Sequence, residues 1–107
     1  MSLNSLIINT LAPTNVPVEL LTYEGAATTY ITFFEYNEQG ALHGDDEELN
    51  TRHSLQVDVW SKGNYITLVK QVKALLKEIG FTRNFQTEFY EKDTQIYHKV
   101  LRFYYSD

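Results

Sequence analysis

A chain with no cysteine must do its acid–base or metal chemistry through its three histidines and fourteen acidic residues. His43, Asp45, Asp46, Glu47, Glu48 and His53 fall in one short stretch. Acid-rich oxygen clusters suit calcium or magnesium, and paired imidazoles suit zinc. The spacing matches no EF-hand loop, because Gly44 precedes the acids and no alternation of ligands follows it. The stretch reads as a solvated acidic loop, and no metal is expected there. His53, Asp58 and His98 are the other candidates, as general acids or bases. Alternation in a strand puts His53 on the face of Leu55 and Val57, and Asp58 on the opposite face. No nucleophile is tied to His98. With no GxSxG, no glycine loop for phosphate and no HExxH, catalysis is not expected. Lys70, Lys73 and Lys77 recur at helical spacing and could meet phosphates. Lysines on the outer face of an amphipathic helix are its ordinary composition, and those near its C-terminal end also suit the helix dipole.

The elements that must carry these residues follow from periodicity. Leu3, Leu6, Ile7 and Leu11 describe a short amphipathic helix over residues 2–11, closed by Pro13. Residues 16–21 suit a short strand, placed at a sheet edge by Pro13 and Pro17. Residues 28–36 are β-branched and aromatic with both faces substantially apolar (Tyr30, Phe34 and Tyr36 against Ile31 and Phe33), which predicts a central strand. Residues 37–50 hold two glycines and four adjacent acids, and they read as a long loop or a mobile hairpin arm. Residues 51–60 alternate strictly, with His53, Leu55, Val57 and Val59 on one side and Ser54, Gln56, Asp58 and Trp60 on the other.

A turn with candidate caps over 61–64 leads to Tyr65, Leu68, Val69, Val72, Leu75, Leu76 and Ile79. This apolar stripe predicts a long helix over 64–79, with Gly80 as its stop. Residues 81–90 and 95–105 then suit a hairpin. The expected fold is α+β: a mostly antiparallel sheet with one long amphipathic helix and a short N-terminal helix packed on one face.

Composition narrows the function. The 107 residues are expected to form one domain, with residues 37–50 as an acidic mobile loop within it. Hydrophobic residues are 43% and charged residues 21%, which argues against wholesale disorder. No apolar run approaches the ~18 residues of a membrane span. The first eleven residues lack the basic start of a signal peptide, so an intracellular protein is expected. A formal charge of −5 disfavours nucleic acid and anionic membranes as generic partners.

The distribution of that charge is uneven. Every Lys and Arg lies at Arg52 or beyond, so residues 1–51 carry eight acids and no base. Two oppositely charged regions permit head-to-tail association. The stretch 2–34 holds only Glu19 and Glu24 as charges, and its many apolar side chains suit a contact surface as well as a core. The expected self-association set is therefore Leu3, Leu6 and Ile7 for apolar burial. Lys70, Lys73 and Lys77, or Lys99 and Arg102, then meet a neighbour's acidic edge over 35–48.

The succession YITFFEYNE, an acidic loop, TRHSLQVDVWSKGNY, a helix closing on LLKEIGF and a hairpin ending in YHKVLRFYYS resembles the small tail-completion (tail-terminator, head–tail joining) proteins of long-tailed phages and prophages. The resemblance spans about residues 1–105. It implies a structural protein of the virion tail, made in the host bacterial cytoplasm, that forms a ring, usually a hexamer. Such a ring caps the tail tube, ends its elongation and presents the surface that docks on the head. Its implied partners are further copies of itself, the tail-tube protein and the head connector protein, with no enzyme activity and no cofactor. Asp45, Asp46, Glu47 and Glu48 would then form a docking loop or a lumen surface. The alternative is a small dimeric α+β module that binds a ligand or peptide.

Overall fold

The computed structural model describes residues 2–44 and 47–106, and within these the side chains of 2–36 and 52–106. Helix α1 spans Leu3–Leu11 and runs into a single 3-10 turn at Ala12–Thr14. Strands β1 (Val18–Leu20), β2 (Thr29–Gly44) and β3 (Glu47–Ser61) follow, then helix α2 (Ile66–Glu78) and strands β4 (Thr82–Glu91) and β5 (Ile96–Ser106). The sheet order is β1-β2-β3-β5-β4, antiparallel except for the parallel β1–β2 pair. The α+β class and the element order agree with the sequence pattern.

The helix ends follow local chemistry. The Ser5 amide donates to Ser2 Oγ at 3.1 Å, which satisfies one of the free donors at the start of α1. Helix α2 has 13 residues, shorter than the expected 64–79. Asn64 Oδ1 accepts the Ile66 amide at 3.0 Å and Tyr65 has non-helical dihedrals, so the helix enters two residues late. At its other end the Phe81 amide donates to the Leu76 carbonyl and the Gly80 amide to that of Lys77, both at 3.0 Å. This Schellman arrangement needs a left-handed residue, which Gly80 supplies at φ +104°.

The alternatives for 37–50 resolve towards a hairpin arm. Backbone pairing between β2 and β3 runs from Thr29 and Ser61 out to Gly44 and Glu47, with register irregularities at Glu35/Asn37, Gly40/Leu42 and Leu42/His43. Strand β5 pairs with β3 only as far as Arg52, so the hairpin projects beyond the rest of the sheet. Asp45 and Asp46 lie outside the described residues.

Both helices cover one face of the sheet. Ile7 and Leu11 of α1 and Val69, Val72 and Leu76 of α2 share a buried cluster with Ile31, Phe33, Leu55, Val57, Val59, Leu101 and Phe103. Alternation along the strands sends the other set of side chains to a face without a helix, and the character of that face is different.

Candidate interaction site

On the face away from the helices, strand register aligns side chains in rows across four strands. Tyr30, Trp60, His98 and Phe89 form one row, and Thr32, Asp58, Val100 and Thr87 the next. Phe34, Gln56, Arg102 and Phe85 form a third. The polar members bond to one another. His98 stacks on Trp60 with ring centroids 3.6 Å apart, and its Nε2 lies 2.8 Å from Asp58 Oδ1. Gln56 Nε2 donates to the same carboxylate at 3.0 Å, and Arg102 Nε donates to Gln56 Oε1 at 3.1 Å. Trp60 Nε1 donates to Thr32 Oγ1 at 3.0 Å. The Arg102 guanidinium also lies over the Tyr36 and Phe85 rings, at 4.7 and 5.4 Å.

Asp58, Thr32 and Ser54 are buried on this face. Phe85 and Phe89 remain 45% and 54% exposed. Tyr30 stacks between Tyr23 and Trp60, and burial, followed by the charges of Glu91 and Tyr23, raises its phenol above the ordinary value. Exposed aromatics and an arginine on a rigid, hydrogen-bonded sheet have the composition of a protein-binding surface.

His53 stands on the opposite face and hydrogen-bonds Glu35, so the three candidate acid–base groups do not converge. His98 does meet Asp58, a pairing that sequence left unassigned. No cluster of three or more metal-ligating side chains occurs among the described residues. His43, Glu47 and Glu48 are outside the described side chains.

A second feature lies where α2 meets β4. Lys73, Lys77, Phe81, Thr82, Arg83 and Phe103 line a cavity of about 350 Å³. Lys73 and Lys77 stand on the side of α2 that faces β4. Arg83 follows the Gly80 stop by three residues and lines the same cavity. Burial, then the nearby charges of Arg83 and Lys99, holds the Lys73 amine below its ordinary value. None of Lys73, Lys77 and Arg83 has an ion pair among the described residues.

The expected self-association residues therefore divide. Lys73 and Lys77 come together, whereas Lys70 is exposed outside the cavity. Ile7 is 0% exposed and belongs to the core of its own chain, which removes it from any surface contact. Leu3 and Leu6 are half-buried against that core, and Ile8, 41% exposed, holds the outward position on α1. The helical stripe could be satisfied by either an internal or an external partner, and folding uses Ile7 internally. Sequence reasoning missed Arg83 and the Phe81–Phe103 floor, for which the signal was the cation just past a helix stop.

No protein-family description matches the chain. No curated protein matches it. Among solved structures it is similar to a chain of the "Virion of native gene transfer agent (GTA) particle", with 14% identity and a TM-score of 0.66. The likeness covers 98% of this chain and 93% of that one, so the two share their fold nearly end to end.

Proposed function

We propose that this protein is a structural component of a phage-type particle that closes the tail tube as a ring, stops tail elongation and offers the surface on which the head docks. The observation that carries the reading is the end-to-end fold likeness to a chain of a gene transfer agent virion. The surfaces support it. The rows of aromatic, histidine and arginine side chains suit contact with a protein partner, and the hydrogen bonds beneath them keep that surface in one shape. The unequal charge of the two halves suits a heterologous contact between copies, which closes into a ring when its rotation fits. The protein acts in this reading by contact and not by catalysis, and its partners are other copies, the tail-tube protein and the head connector.

The test is tail length. Particles assembled without this protein should carry tails longer than normal and lack heads, and adding the purified protein should restore both. Tails of normal length with heads attached, made in its absence, would sink the proposal. A stable dimer with no larger species on tubes or in solution would favour the small binding module instead.

A further inference from the structure

We infer that the basic cavity between α2 and β4 receives the acidic end of the β2–β3 hairpin of a second copy of this chain. The inference rests on the ring reading above and specifies its contact. Three observations converge on it.

The first is charge. Lys73, Lys77 and Arg83 line one concave site with no ion pair of their own among the described residues. Burial, followed by repulsion from Arg83 and Lys99, already lowers the proton affinity of Lys73. A carboxylate entering the site relieves that repulsion and gains charge-assisted hydrogen bonds. Residues 1–51 carry eight acids and no base, and four of those acids, Asp45, Asp46, Glu47 and Glu48, are consecutive where β2 gives way to β3.

The second is shape. The cavity has an apolar floor of Phe81 and Phe103 beneath its cations. A cavity of about 350 Å³ admits one or two side chains and not a whole strand pair, so the end of a narrow arm is a fitting occupant.

The third is reach. Arg83 and Phe103 share a row with Leu55. Glu47, at the end of the hairpin, is eight residues farther along β3. At about 3.4 Å per residue the hairpin end lies ~27 Å from the row of the cavity, so no arm reaches the cavity of its own chain while β2 and β3 stay paired. The complementary pair is usable only between copies, and an arm-to-cavity contact uses unlike surfaces. Each copy then has one arm to give and one cavity to fill, which is the requirement for a closed ring.

The chain has no cysteine, so single cysteines report the contact directly. Glu48→Cys and Lys77→Cys chains, mixed at a concentration where the protein self-associates and treated with a short thiol cross-linker, should give the mixed dimer well above either like dimer. The double variant should give a ladder that ends at the ring. Lys73→Glu with Lys77→Glu should weaken self-association by about tenfold or more. Reversing all four acids to Lys should do the same, and mixing the two reversed chains should restore it. Circular dichroism of each variant checks that the fold persists.

Self-association that persists without the Glu48–Lys77 cross-link, or with both charge reversals ineffective, overturns this contact and leaves the ring reading standing. A cavity occupied by duplex DNA, seen as protection of Lys73 and Lys77 from acetylation by DNA but not by a second copy, also overturns it. No self-association at any concentration overturns both readings.

Discussion

Helix α1 places two adjacent isoleucines in opposite environments, and that difference sets a quantitative test. Ile7 is 0% exposed and Ile8 41% exposed. Truncating a buried isoleucine to alanine costs about 2–5 kcal/mol, the lost transfer energy plus a cavity term. A domain of this size has about 5–16 kcal/mol of total stability, so Ile7→Ala removes a large fraction of it. At about 2.1 cal/mol/K per residue, the unfolding entropy of 107 residues is ~0.22 kcal/mol/K. A mid-range loss of about 3 kcal/mol then lowers Tm by roughly 13 °C. Ile8→Ala should move Tm by less than about 5 °C, within about 1 kcal/mol of wild type. Thermal unfolding followed by circular dichroism measures both. The protein should be dilute enough that association does not contribute. Equal losses at the two positions would refute the placement of the core, and reversed losses would mean that α1 is rotated by about one residue, ~100°. The same comparison decides how association is probed: Ile7→Asp unfolds the chain, whereas Ile8→Asp leaves the core intact and alters only the surface.

Three further outcomes are expected. Gly80→Ala should destabilise by about 1–2 kcal/mol from its positive φ alone, since the added Cβ meets only Tyr105 at an ordinary 3.6 Å; an unchanged urea midpoint would contradict the Schellman geometry. Asp58→Ala strips the acceptor from His98 and Gln56 in a buried network and should cost about 1–3 kcal/mol, with a shift in the emission of Trp60, the single tryptophan; no change in either would mean that the network is not formed. The Lys73 amine has a lowered proton affinity in the folded chain, so below its ordinary value of 10.5 the unfolded chain binds more protons and stability rises with pH. The urea midpoint of the wild type relative to Lys73→Met should therefore climb as the pH rises towards 10.5, and a flat difference would refute the lowered proton affinity of Lys73.

The fold was legible where a pattern has one physical solution. The alternation over 51–60 and the run at 28–36 gave β2 and β3, because a pleated strand can bury only alternate residues on one face. The stripe from Tyr65 to Ile79 with Gly80 behind it gave α2, but its first two residues were lost to the cap made by Asn64 and Tyr65, whose geometry depends on dihedral angles that periodicity does not encode. The glycines and acids of 37–50 left loop and arm both open, since pairing along an arm is made by backbone groups common to every residue. The candidate surfaces were less legible. Lys73 and Lys77 were readable from helical spacing, but Arg83 joins them only through the path of the chain after Gly80. Ile7 and Ile8 differ by a rotation that a short stripe does not fix. His98 meets Asp58 because β5 pairs with β3 in one register, and nothing local in either strand specifies that register.

The overhang of the hairpin has a cost in solubility that the same residues offset. Beyond Phe33 strand β2 has no partner on its outer side among the described residues, and beyond Arg52 neither has β3. Each projecting arm is thus a two-sided template onto which another strand could add, the usual starting point of disordered aggregation. The irregularities of register at Glu35/Asn37, Gly40/Leu42 and Leu42/His43 interrupt the even spacing of donors and acceptors that such addition needs. The run Asp45, Asp46, Glu47, Glu48 opposes stacking of like arms by charge repulsion. Acids that would hinder one arm from growing on another are also the groups that a basic cavity can accept, so a single short sequence can discourage open-ended polymer and favour a contact of finite number.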